Sequence, residues 1–255
     1  MGALIGGIYA AGKLQVYTDW VLALERLHVL RLLDPTLGRA GIFKGERIIG
    51  VLRQLIGDCD IEALPIAFTA VATDLDSGQE VWLRQGRLFD AIRASMATPL
   101  VFTPFQHGER LLIDGAVVNP VPVAPTLGDA TDLTVAVDLS GPAEVRPVPS
   151  APRSHAGVGD SRYRKGILKF VDSVRGPRGP REPSRGLLDV AFAAMQAMQD
   201  TIADLRLKAY TPDVTIEVPR NACGFFEFWR ADELIALGRE RADAAFRKAG
   251  LVGDG

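Results

Sequence analysis

The chain has 255 residues, 47% of them hydrophobic and 24% charged, with a formal net charge of -2. That is enough apolar material for one large domain or two small ones, and the lack of a basic excess argues against nucleic acid as a partner. Cys59 and Cys223 lie too far apart to read as a metal-type pair, no basic leader precedes the apolar start, and no apolar run is long enough to span a bilayer. A reduced, cytoplasmic protein is the simplest expectation, with a single disulfide as the alternative.

Residues 1–12 read as a helix built on small side chains, since Gly2, Ala3, Gly6, Gly7, Ala10 and Ala11 recur at helical spacing. Glycine costs a helix about 1 kcal/mol relative to alanine, so three of them in two turns imply close backbone approach. That fits a tightly packed core helix, or a helix packed beneath a nucleophile or phosphate. Residues 18–33 predict one amphipathic helix capped by Thr18, with Trp20, Leu22, Leu24, Leu27, Leu30 and Leu33 as its apolar positions. His28 within it has no second histidine or cysteine nearby and reads as structural. A turn over 41–46 leads to a further helix over 46–56.

Residues 65–73 are strand-like, Asp76-Ser77-Gly78 is a turn signal, and residues 80–83 complete a hairpin. Asp74 and Asp76 resemble the start of a calcium loop that lacks its remaining ligands, so no metal site is assigned. Residues 87–96 predict a helix ending in Ala94-Ser95-Met96-Ala97-Thr98-Pro99, after which Pro99 and Pro104 predict an extended path through Leu100-Val101-Phe102. His107-Gly108 is a hairpin turn. Leu111-Leu112-Ile113 then ends as a strand at Asp114, where Gly115 permits a sharp turn. An acid at a strand's carboxyl end is a candidate for chemistry, and the competing reading is a turn aspartate that bonds its own backbone.

Residues 134–139 have the composition of a buried strand. Residues 141–186 break the pattern, with ten Lys/Arg against four Asp/Glu among many prolines and glycines. This reads first as a surface excursion. The second reading is a short basic amphipathic helix over 162–171 that makes peripheral contact with anionic headgroups. Residues 187–209 return to helix, 213–218 to strand, and a closing helix runs from about 231 to 248.

Four of these stretches, in order, resemble bacterial patatin-like phospholipases. They are the small-residue helix Met1–Gly12, the hairpin Thr73-Asp74-Leu75-Asp76-Ser77-Gly78, the segment Ala94–Pro104, and Asp114-Gly115-Ala116 followed by Asn119-Pro120. The resemblance implies an α/β fold of three layers, α/β/α, with a central, mostly parallel sheet that lacks its first strands. Its implied organisation is a catalytic core over residues 1–140, the excursion at 141–186, and residues 187–255 as the rest of the same domain. It also implies a serine acyl hydrolase acting on a lipid ester through a Ser-Asp dyad, with no cofactor or metal. Asp114 of the D-G-A motif (Asp114, Gly115, Ala116) would be the base.

In the family's G-x-S-x-G pattern, Gly2 is the final glycine and Met1 the residue directly after the serine. The serine itself, the strand before it and the glycine-rich oxyanion loop are absent from these 255 residues. A start assigned at an internal methionine, a truncated gene, and a chain that lacks the nucleophile all remain open. On this reading the chain as written is inactive. The alternative function is a non-catalytic relative that binds lipid or a partner through the same surface. Ser95 is the sole serine weighed as a substitute nucleophile, and no elbow surrounds it.

Overall fold

A computed structural model of the chain describes residues 1–36, 41–144 and 186–253. Two compact units divide the chain. One joins Met1–Glu144 to Met198–Gly255, and the other is Val145–Ala197. Of the second, only residues 186–197 are described, largely as the first turns of a helix. The expected basic helix at 162–171, and most of the expected 141–186 excursion, lie outside the described residues. Up to Glu144 the chain is held in the first unit, because Arg241 grips the Glu144 carboxylate at 2.6 and 2.7 Å.

The first helices are α1 (Gly2–Ala10), α2 (Leu14–Leu22), α3 (Arg26–Leu32) and α4 (Glu46–Ile56). The single helix expected over 18–33 is therefore two. Thr18 is no cap. It lies inside α2, where its hydroxyl donates to the Leu14 carbonyl. Glu25 starts α3 instead through a reciprocal capping box with His28, whose Nδ1 accepts the Glu25 N–H at 3.3 Å. Helix α4 is capped from a distance, since the Asp34 carboxylate accepts the N–H groups of Gly45, Glu46 and Arg47 at 2.6, 2.9 and 3.1 Å. Three orphan donors and the positive end of the helix dipole are met by one side chain.

Strands β1 (Ala70–Asp74), β2 (Glu80–Leu83), β3 (Phe105–His107) and β4 (Arg110–Asp114) form a sheet of order β2-β1-β4-β3, antiparallel at every step. Tight turns at Ser77-Gly78 and Gly108 join its two hairpins, and strands joined that closely can pair only antiparallel. Asp74 closes the first turn by accepting the N–H groups of Asp76 and Ser77. These bonds, that from Ser77 foremost, hold its carboxyl below the usual range.

Strands β5 (Val135–Gly141) and β6 (Val214–Pro219) pair in parallel and carry the parallel part of the α/β fold. The expectation of a mostly parallel sheet thus narrows, among the described residues, to this pair. Nor is β5 buried on both faces. Ala136 and Asp138 point inward, while Val137 and Leu139 are 54% and 60% exposed. Helix α5 (Leu88–Ser95) lies against β1 and β4, and α6 (Leu187–Tyr210) and α7 (Ala231–Lys248) complete the described elements.

The main core gathers α1, α2, α4, α5 and the four-stranded sheet around fully buried Leu4, Ile8, Leu52, Leu88, Phe89, Ile92 and Leu112. Gly7 explains the small-residue character of α1. A Cβ there would stand 3.0 Å from Leu88 and 3.1 Å from Ile92, so α1 touches α5 at that glycine. No described helix is long and apolar enough to cross a membrane.

Candidate active site

Asp114 is the last residue of β4, opposite Ala72 of β1. Its backbone is held on both sides. Its N–H donates to the Ala97 carbonyl at 3.0 Å, and its carbonyl accepts the Thr73 hydroxyl at 3.0 Å. Thr73 is itself buried. Beyond Asp114 the chain turns through a short 3₁₀ segment, Gly115–Val117.

Gly115 makes this turn possible for a steric reason rather than a conformational one. A Cβ on it would sit 2.3 Å from the Val71 carbonyl oxygen and 2.6 Å from the Val71 carbonyl carbon. The turn can lie against β1 only because that atom is missing.

The half-buried Asp114 carboxylate has two described hydrogen-bond donors. Oδ1 accepts the Ala116 N–H at 3.0 Å, and Oδ2 accepts the Thr98 hydroxyl at 2.6 Å. The first is the local bond of a turn aspartate. The second reaches across 16 residues to the segment after α5. Among the described residues no Lys, Arg or His forms an ion pair with Asp114. An ionised carboxylate accepts about four hydrogen bonds, so with two donors in place it retains room to accept more.

The segment that brings Thr98 to Asp114 is not extended, as Pro99 and Pro104 had suggested. It turns at Pro99-Leu100-Val101, because the Thr98 carbonyl accepts the N–H groups of both Val101 and Phe102, at 3.1 and 2.9 Å. Leu100 adopts φ 68°, left-handed backbone that a branched residue rarely takes. Phe102 then bridges to Phe43.

Arg93 of α5 ties this segment to the start of α4. Its guanidinium is buried and donates to the Lys44 and Thr103 carbonyls and the Thr103 hydroxyl. Burial pulls its pKa below the usual arginine range, opposed by Glu46 and Asp34. Arg93→Met keeps the apolar stem but strips the donors from those carbonyls. Each unmatched group costs about 1–3 kcal/mol, so thermal unfolding of this variant is expected to fall by several degrees. An unchanged melting temperature would show that solvent replaces the guanidinium freely.

Past the turn, Asn119 is buried, and its Nδ2 donates to Glu80 Oε1 at 2.9 Å. Glu80 also accepts the Trp82 indole N–H at 2.5 Å, and Arg206 approaches it at 3.6 Å. The hairpin β1–β2 is thereby fastened to the chain that follows Asp114.

The patatin-like phospholipase model matches residues 1–127. An NTE family protein of Mycobacterium tuberculosis is 35% identical over 291 aligned residues, covering 96% of this chain and 81% of the relative. A Mycobacterium bovis protein of the same family gives the same figures. The chain belongs to the patatin-like phospholipase family. A patatin-like phospholipase domain-containing protein of Caenorhabditis elegans is 32% identical over 130 residues, 48% of this chain and 10% of its own.

Of the residues that the sequence resemblance singled out, Asp114, Gly115 and Ala116 come together in one turn. Met1 and Gly2 stand at the start of α1, Met1 exposed and accepting the Ile5 N–H through its carbonyl. No hydrogen bond among the described residues joins Met1 or Gly2 to the Asp114 turn. The connection is one of scaffold, since α1 packs on α5 and β1, and these same elements hold β4. Ser95 is the buried last residue of α5, and it does not donate to Asp114. His107 is exposed at the end of β3. Thr98 and Glu80 had no signal in the sequence as partners of the motif, and Thr98 stood out only as the residue before Pro99.

Proposed function

We propose that this patatin-like fold serves a serine acyl hydrolase of lipid esters, with Asp114 as its base and the serine directly ahead of Met1 as its nucleophile. The observation that carries the reading is the doubly anchored Asp114 carboxylate at the end of β4, in the family's D-G-A turn. The serine hydroxyl attacks the ester carbonyl while Asp114 takes its proton. The tetrahedral intermediate collapses to an acyl-enzyme, and the leaving alcohol takes the proton back. Water then attacks the acyl group, giving a proton to Asp114, which passes it to the serine oxygen as the fatty acid leaves. Leu112 and Ile113, the two residues before Asp114 in β4, are buried.

Gly2 and Met1 enter this scheme as the residues that turn the chain from the nucleophile into α1. Residues 1–255 contain no serine in that position, so on this reading they turn over ester at a negligible rate.

The test compares residues 1–255 with a form translated from the in-frame codons ahead of Met1, each treated with a fluorophosphonate probe. Labelling of the longer form alone, at a serine directly before Met1, supports the enzyme. A stop codon in that place, with no labelling and no ester turnover, supports the non-catalytic lipid- or partner-binding relative.

A further inference from the structure

We infer that Thr98 is the positioning residue of the Asp114 carboxylate, a role that rests on reading Asp114 as the base. The hydroxyl of Thr98 has one proton to give, and two acceptors lie near it. Asp114 Oδ2 is 2.6 Å away, while the Met96 carbonyl is 3.4 Å away, at the edge of hydrogen-bond reach. The proton goes to the carboxylate, where the bond is short and charge-assisted.

Thr98 is itself fixed. It is 8% exposed. Its N–H donates to the Met96 carbonyl at 2.7 Å, and its carbonyl is held by the Val101 and Phe102 amides. Pro99 restricts the backbone of the residue before it, and a β-branched side chain has few χ1 choices. The adjacent Ala97 carbonyl holds the Asp114 N–H. One short stretch, Ala97-Thr98, therefore grips both the main chain and the side chain of Asp114.

The chemical consequence is orientation. With Ala116 N–H on Oδ1 alone, the carboxylate can still swing about that bond. With Thr98 on Oδ2 it cannot, and its remaining lone pairs keep a fixed direction. A base held in one geometry spends no free energy on reorganisation when a proton arrives.

The test needs no turnover and is made on residues 1–255. With ¹³C-labelled aspartate, the side-chain carboxyl signal of residue 114 is assigned by its loss in Asp114→Asn. It is then recorded at one pH in the parent, Thr98→Val and Thr98→Ser. Valine keeps the shape of threonine and removes the hydroxyl, and serine restores it. The signal is expected to shift and broaden in Thr98→Val, as the carboxylate is freed to swing about its bond to Ala116, and to return close to the parent in Thr98→Ser.

A role confined to packing would lower the melting temperature of Thr98→Val and leave the carboxyl signal where it was, which overturns the inference. Fluorophosphonate labelling of Thr98 would overturn it too, by making the hydroxyl a nucleophile. In the serine-bearing form, Thr98→Val is expected to lower kcat about tenfold with KM within twofold. If Asp114→Asn keeps full turnover there, the reading of the base fails, whatever the carboxyl signal of Thr98→Val shows.

Discussion

Asp114→Asn is expected to lower ester turnover about 10³–10⁴-fold in the serine-bearing form, while its melting temperature stays within a few degrees of the parent. The substitution keeps the shape of the side chain. The amide oxygen can still accept the Ala116 N–H, and the Thr98 hydroxyl can accept from the new amide nitrogen in place of donating to Oδ2. The capacity to take a proton is lost. The contrast between kcat and melting temperature therefore separates a base from a residue that only closes a turn. Should turnover survive in Asp114→Asn, the local bond to Ala116 would be the aspartate's whole role.

Gly115→Ala is the second large effect, and it acts first on the fold. The new methyl would meet main-chain atoms of Val71, at 2.3 Å for the oxygen and 2.6 Å for the carbon, and no side-chain rotation relieves either contact. Strands β1 and β4 must part or the turn must move, and both displace Asp114. Overpacking of this kind costs about 1–3 kcal/mol or more, which lowers the melting temperature of a domain this size by about 2–12 °C. Gly50→Ala is the control. It lies inside α4 with no heavy atom within 4 Å of the added methyl, and alanine is the better helix former by about 1 kcal/mol. It should melt at or above the parent temperature. Equal melting temperatures for Gly115→Ala and the parent would mean that the D-G-A turn has room the geometry denies it.

Those two positions were legible in the sequence because their signals are local. A glycine after an acid at the end of an apolar run marks a turn wherever it occurs. Strand β4, helix α5, the β1–β2 hairpin and helix α7 are legible for the same reason, each from signals within its own stretch. The helix over 18–33 was misread where a cap replaced the period. Its apolar spacing runs on through Ala23-Leu24-Glu25, and only the reciprocal bonds of Glu25 and His28 show where the second helix begins.

The partners of the site were hidden because their contacts are long-range. Thr98 meets Asp114 across 16 residues, Asn119 meets Glu80 across 39, and Arg93 meets Lys44 across 49. Nothing in the composition of either end announces such a bond. Two prolines around Leu100-Val101-Phe102 suggested an extended path, yet one carbonyl, that of Thr98, gathers two amides and bends the segment against that preference. The two sheets divide in the same way. Hairpins announce their pairing through their turns, whereas the parallel pairing of β5 with β6 joins strands 73 residues apart.

If the carboxylate of Asp114 serves an alcohol carried just ahead of α1, the two groups must meet. A crystal structure of the serine-bearing form after reaction with a fluorophosphonate measures this directly, as the distance from the phosphonylated oxygen to the Asp114 carboxylate. The expected adduct is on the serine before Met1, with Asp114 within hydrogen-bond reach of that oxygen, about 2.6–3.2 Å or one bridging water away. An adduct on Ser95 or Thr98, or a serine adduct with Asp114 turned away from it, would remove Asp114 from the role of base.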